Sequence, residues 1–446
     1  MTDDRARLGL LGACLAASLA LYVGLAVVLG SVPAGWNGYV GFSLASAPLF
    51  RGFSHVPAIA LSPAGFGRAV VALLAGLWAV WIAAALVLRA MSPGGQRRAR
   101  VLVLGGGAVM LALVVVSLPP VLSADLYRQA MFGDMVARHG LNPYATPAGQ
   151  LVGHPLLAFA DEPHATTIYG PAYTWLSALS MALVPPRPVA VALMWKGMSA
   201  AAALACAVVA GKLAATDDDA TAGQVPLWVA WNPLVVIESA GSGHLEPIMM
   251  LPALAGLLLV RRGRLGRGFL LLALSTLTKW VTGLVIVLTA AWELQRAPPG
   301  RRLRVLLRLL IPAGLATALL YAPFASGLGG PGGIHAMALR GSHVFGDPTR
   351  NWIPQWTMMA CFAVTIAAVA VAVRRRAWTQ LVAAAVALML IFIVVVVPWI
   401  FPWYFVAPVV LSSVLPRNRI GFICRAASFG LGAAFMIFYA KLVALH

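Results

Sequence analysis

Charged residues are scarce in this chain. They make up 10% of its 446 residues, against about a quarter in soluble domains. With 61% hydrophobic residues and a mean hydropathy of +0.89, an ordinary soluble enzyme is excluded and the bilayer becomes the main solvent. Cysteine is scarce too. Cys14, Cys206, Cys361 and Cys424 all lie within apolar segments, so no disulfide framework is implied and each reads as a small packing residue. Short alternating strands are missing, which excludes a transmembrane barrel. No strong internal repeat and no soluble domain is found. Acidic residues are the rarest charges: 13 Asp and Glu stand against 32 Lys and Arg, a formal charge of +19. Such a surplus suits nucleic acid, but the arginines sit in short clusters between apolar runs. That is the positive-inside pattern of a polytopic membrane protein, and nucleic acid is excluded as a partner.

What is present is a series of apolar runs, several of them reaching the roughly 20 residues that a spanning helix needs. With no water in the bilayer core their backbones must pair internally, so helices are expected. The first run, Leu8 to Gly30, exceeds a signal-peptide core of about 7–15 residues and reads as an anchor. Arginine clusters at 5–7, 97–100, 261–267, 296–304, 374–376 and 417–419 are assigned to the cytoplasm. Residues 8–30 then run outward, 69–90 inward and 101–122 outward, which places 123–168 on the outer face. Four candidate segments follow before the next basic cluster, where parity allows an odd number. Tyr169 to Pro186 is short, opens with Gly170 and Pro171 and is stopped by Pro185 and Pro186, so it is expected to dip without crossing. Residues 189–211, 225–240 and 245–260 complete the count, with Lys212–Gln224 cytoplasmic and Glu238–Pro247 outside. Residues 269–292, basic at both ends, form a hairpin of short helices broken near Thr278–Gly283. Then 304–324 goes out, Gly327–Trp352 loops, 353–373 returns and 377–397 goes out. Pro398–Phe405 turns, 402–416 returns and 420–441 exits. The fold class is an all-α polytopic bundle of about 11–13 membrane helices with short juxtamembrane helices, and polar residues gather on the outer side.

Chemistry is therefore sought there. Asp125 opens SADLYRQAMFGDMVARHGLNPY, just past an apolar run. An acid anchored there and partly desolvated can act as a general base on an acceptor hydroxyl. It can equally be a helix N-cap. Asp134 lies nine residues on, half a turn out of phase on one helix, and ranks as a solvated or supporting residue. Asn142, Tyr144 and Tyr169, in NPYATP and IYGPAY, read either as an interfacial aromatic belt or as a sugar-stacking wall. His244 and Glu246, in GSGHLEP, lie on a break between half-spans and are functional candidates that line a cavity. They are too few ligands for a metal site. Lys279 sits mid-run and either meets a phosphate or snorkels. Arg340, His343, Arg350 and Asn351 offer further phosphate or sugar contacts, and basic groups on this side run against the positive-inside bias. Arg128, close to the first-loop acid, joins the candidates for the donor phosphate, and Trp403 and Tyr404 those for sugar or acceptor.

Several stretches resemble a known family in order and spacing. SADLYRQAMFGDMVARHGLNPY followed by TIYGPAY resembles the first outer loop of GT-C glycosyltransferases that use polyprenyl-phosphate sugars, in particular the actinobacterial polyprenol-phosphate-mannose-dependent α-mannosyltransferases. WNPLVVIESAGSGHLEP is similar to their NPL…GxGHND stretch, ALSTLTKW to their short helix ending in lysine, and PWYFVAPVV to their late PWY segment. Glu246 replaces the Asp of GHND and Leu245 its Asn. The resemblance covers the chain from about residue 101 onward and implies a GT-C-like catalytic domain over 101–446, with 1–100 a helix pair outside the common core. It implies Asp125 as catalytic base, a dipping YGP helix, and a polyprenyl-phosphate sugar as donor. The expected activity is transfer of a hexose, mannose first, to a hydroxyl of a lipid or glycan acceptor with inversion. The expected location is the inner (plasma) membrane, multi-pass, with the active site on the extracytoplasmic face of the cell envelope. No cofactor is required, since Lys and Arg can neutralise a phosphate; a divalent cation remains compatible. The rival classes are a secondary transporter or lipid flippase, which should carry repeats and midplane ionisable residues in both halves, and a ligase or polymerase taking a diphosphate-linked glycan.

Overall fold

Prolines mark where helices begin. Pro63, Pro93, Pro171, Pro188 and Pro233 each open one, where a missing N–H costs nothing and the fixed φ is already helical. Ser62 and Ser92 cap the first two of these by accepting from Gly65 and Gly95. The computed structural model describes residues 2–31, 59–120, 123–160, 163–327, 377–396 and 400–445. Arg340, His343, Arg350, Asn351, Cys361 and the expected span 353–373 lie outside the described residues.

Among the described residues the chain is helical and has no strand. The helices are α1 (Thr2–Leu29), α2 (Pro63–Ala90), α3 (Pro93–Ser117), α4 (Asp125–His139), α5 (Pro171–Leu183) and α6 (Pro188–Ala214). There follow α7 (Asp219–Ala230), α8 (Pro233–Val236), α9 (Glu246–Arg261), α10 (Leu265–Thr276) and α11 (Gly283–Arg296). The last are α12 (Arg302–Tyr321), α13 (Trp378–Ile391), α14 (Val406–Ser413) and α15 (Arg419–Leu445). Among the described residues six stretches are long and apolar enough to cross a membrane: Asp3–Leu29, Pro63–Ala90, Pro93–Ser117, Pro188–Ala214, Pro299–Ala325 and Arg419–Lys441. Pro233–Gly241 and Glu246–Arg261, bent by 116°, make a seventh if counted as one span. The other apolar runs are shorter helices. The run expected to cross at 225–240 is divided between the end of α7 and the first part of this bent pair, and 245–260 is its second part, α9. Asn232 caps α8 by accepting from Leu234 and Val235, a π turn follows over Ile237–Gly241, and Gly243 at φ +72° turns the chain into α9. The Tyr169–Pro186 segment contains only the 13 residues of α5, too few to span. Residues 269–292 are two short helices, as expected, separated at Trp280–Thr282.

Among the described residues Arg7, Arg261 and Arg417, from three of the arginine clusters, come together at one end of the bundle. Asp4 of α1 bonds Ser92 at the start of α3, Arg261 reaches Thr216 and Asp217, and Asp218 accepts from the Arg417 amide. Helices α3, α6, α7 and α9 pack side by side, with α2 and α15 against α7 and each other. At the opposite end α3 finishes, α4 and α5 pack together, and the α8–α9 break and the start of α14 converge.

Candidate active site

The site is built where α3 gives way to α4. Ser123 accepts the Asp125 amide at 3.1 Å, and Ala124 is the cap residue, without a side-chain bond. Asp125 is thus the first helical residue, and its carboxylate is not the cap. It lies 3.6 Å from the Arg128 guanidinium, one turn on, with both side chains largely buried. Every residue from Asp125 to Met135 is buried, so this face of the chain is a packed interior and not a loop in water.

Gln129 joins α4 to the YGP segment. Its amide donates to the Tyr169 hydroxyl at 3.1 Å and its carbonyl oxygen accepts from Tyr173. Ser177 donates to the Gln129 main-chain carbonyl at 2.7 Å. Burial, with the Asp125 charge next, keeps the Tyr169 phenol protonated well above its ordinary range. The YGP strap is itself fixed to the TKW stretch, because the Gly170 amide donates to Thr278 and the Ala172 amide to Leu277. That docking brings Tyr169 to Lys279. The ammonium lies 5.9 Å from the Tyr169 ring and 4.9 Å from the Tyr404 ring, and donates to Glu246 at 2.6 Å. Lys279 is therefore paired and flanked by aromatic faces instead of reaching for bulk water.

His244, beside Glu246 in the break, stacks on Trp403 at 4.1 Å, and Trp403 stacks on Phe401 at 4.4 Å. Its Nε2 lies 3.4 Å from the fully buried Glu238 carboxylate. The charge on Asp125 is felt at Glu238, at His244 and at Tyr169. One neighbourhood thus holds Asp125, Arg128, Tyr169, His244, Glu246, Lys279, Trp403 and Tyr404, drawn from elements far apart in sequence. A cation next to the acid, and a second cation paired with a buried carboxylate, suit an anionic substrate group. Among the described residues no group of three or more His, Cys, Asp or Glu is placed to hold a metal ion.

Three of the sequence candidates lie elsewhere. Asp134 faces away from Asp125, as the half-turn phase requires, and is clasped by Arg138, by His139 at 3.3 Å and by His154 at 3.1 Å. The Leu156 amide donates to His154 Nδ1, which leaves Nε2 as the proton-bearing nitrogen that donates to Asp134. Burial raises the Asp134 carboxyl, but the His154 hydrogen bond and the Arg138 charge outweigh it and hold the group below its usual range. Asn142 accepts from the Tyr144 amide and donates to the Phe324 carbonyl. The Tyr144 hydroxyl donates to the Tyr169 carbonyl and its ring meets Phe324 at 5.2 Å. These residues tie the loop to the ends of α5 and α12.

Glu238, Gln129 and Lys196 are site-forming residues that the sequence reading passed over. Lys196 had the signal that singled out Lys279, an ammonium inside an apolar run. Glu238 is an acid at the end of the apolar NPLVVI stretch. Gln129 carries no such signal.

The chain is also similar to known proteins. The model of the MptA/B family, described as alpha-(1->6)-mannopyranosyltransferase, N-terminal domain, matches residues 7–295. Alpha-(1->6)-mannopyranosyltransferase A of Mycobacterium tuberculosis (strain ATCC 25618 / H37Rv) is 26% identical over 340 residues. That match covers 70% of this chain and 64% of the relative's own length. No solved structure matches. With more than half its length matched by one family model, the chain belongs to the MptA/B family of alpha-(1->6)-mannopyranosyltransferases.

Proposed function

We propose that this protein transfers a mannosyl group from a polyprenyl phosphate, held in the outer leaflet of the plasma membrane, to a hydroxyl of a lipid or glycan acceptor. Asp125 takes the proton of the acceptor hydroxyl as that oxygen attacks the anomeric carbon from the side opposite the phosphate. The bond from the anomeric carbon to the phosphate oxygen breaks and polyprenyl phosphate leaves. Its charge is met by Lys279 and Arg128, joined by Arg340 and Arg350 from the outer loop. One displacement inverts the centre, so an α-linked product requires a β-linked donor. Residues 101–446 would make up the catalytic bundle, with 123–168 as its first outer loop. Asn142, Tyr144, Asp134, His343 and Asn351 would then shape or border the sugar and acceptor side.

The single observation that carries this reading is the gathering of Asp125, Arg128 and the Glu246–Lys279 pair at the end of the bundle away from the arginine clusters. Under the positive-inside rule that end is extracytoplasmic. The test uses the purified full chain in liposomes, supplied with polyprenyl-phosphate mannose or with GDP-mannose. Transfer from the lipid donor alone, with a product of inverted configuration by NMR, is expected. A Lys279→Met variant should raise the donor KM by about tenfold or more. Transfer from GDP-mannose alone, or retention of configuration, contradicts the proposal.

A further inference from the structure

We infer that Lys196 is a positioning residue that aims Asp125, an inference resting on the function proposed above. Lys196 is buried within α6, 1% exposed, with no part in the chemistry. Its ammonium donates to three main-chain carbonyls, those of Val114 at 3.2 Å, Val115 at 2.8 Å and Leu118. These belong to the last turn of α3 and its cap residue Leu118, at the negative end of the helix dipole, and Val114 also accepts from the Leu118 amide. A charge is costly at this depth, yet one is placed at the end of α3, just ahead of Asp125 in the chain.

The same residue also meets the other half of the site. Its stem packs on Gly243, the positive-φ turn of the α8–α9 break, and so does Leu126, the neighbour of Asp125. One helical turn further, Ser199 donates to the main-chain carbonyl of His244. One step back, the Trp195 ring meets Tyr173 of the strap at 5.4 Å. A single face of α6 therefore fixes the end of α3, the strap and the break relative to each other. Removing the ammonium frees the α3 terminus to shift, and a shift of about 1 Å between a base and its hydroxyl costs on the order of a hundredfold in rate. The donor phosphate contact at Lys279 is made from the TKW stretch, away from the α3–α4 junction, and should persist.

The matched control is Arg425, a buried cation at the arginine end that donates to the Leu415 and Pro416 carbonyls below α14. The purified full chain and its variants are compared for kcat, donor KM with polyprenyl-phosphate mannose, and thermal midpoint. Lys196→Met is expected to lower kcat by about tenfold or more with donor KM within about threefold. Lys196→Arg, which keeps the charge and the donors, should recover kcat to within about threefold of wild type. Arg425→Met should lose thermal stability with kcat within about twofold. In an Asp125→Asn background Lys196→Met should remove no further rate. If Lys196→Met does not fold, Lys196→Gln, which retains two amide donors without the charge, carries the same comparison. Wild-type kcat in the neutral variant overturns the inference, as does a fall in kcat that Arg425→Met reproduces. A wild-type protein that uses no polyprenyl phosphate sugar refutes the proposed reaction instead. Positioning is then read from the alkylation rate of Asp125→Cys with Lys or Met at 196, where equal rates overturn the inference.

Discussion

At the scale of single residues, the two acids of the first loop show how much position alone decides. Asp125 could be singled out because it follows an apolar run, but a cap and a base look alike in one dimension. The distinction rests on Ala124 and Ser123, which take over the capping geometry and leave the Asp125 carboxylate beside Arg128. Asp134 was legible only by phase. Its partner His154 lies 20 residues away, beyond a short 3-10 turn at Ala148–Gln150, which no periodicity announces. The Asp134 clasp predicts a pH dependence of stability. Folding holds this carboxyl below its ordinary value, so the unfolded chain binds more protons as pH falls past about 4 and stability drops. Asp134→Asn should lower the thermal midpoint at pH 7, by an amount equivalent to about 1–3 kcal/mol. The gap from wild type should close progressively as pH falls below about 4. A constant gap across that window would show that the clasp is not ionic.

At the scale of elements, the breaks were more legible than the helices. Gly-Ser-Gly announced an interruption within Glu238–Pro247, and Gly-Pro the short helix α5, because these residues act through their own backbones. The π turn and the 116° bend were not legible, since both come from packing of α8 and α9 against α6. Close approach fixes the strap in the same way. A Cβ on Gly170 would lie 2.0 Å from the Leu277 carbonyl oxygen. Gly170→Ala should push the YGP strap off the TKW stretch, at a cost of about 1–3 kcal/mol. It should separate Tyr169 from Lys279, so activity in membranes falls further than the loss of thermal stability accounts for. Wild-type activity in Gly170→Ala would show that the docking of strap on TKW is dispensable.

At the scale of the whole molecule, the low charge and the long apolar runs made a helical membrane bundle legible at once. The arginine clusters were scattered along the sequence, yet among the described residues the fold collects Arg7, Arg261 and Arg417 at one end, which the positive-inside rule anticipates without any knowledge of packing. The number of crossings was less legible. An apolar run reads the same whether it spans, dips or breaks, and only partners elsewhere in the chain decide. The orientation is open to a direct test. In a cysteine-free background, Ala145→Cys on the exposed tip of the first loop should react with a membrane-impermeant maleimide in intact cells. Arg264→Cys, in the cluster between α9 and α10, should react only after lysis. The reverse pattern would put the site in the cytoplasm and exclude an outer-leaflet donor. The most direct measurement of all is single-turnover mannosyl transfer by Asp125→Asn saturated with polyprenyl-phosphate mannose. A base at this position predicts a rate lower by about 10²–10⁴-fold with donor binding retained. Transfer at the wild-type rate, in a variant whose only change is the loss of that negative oxygen, would contradict the account.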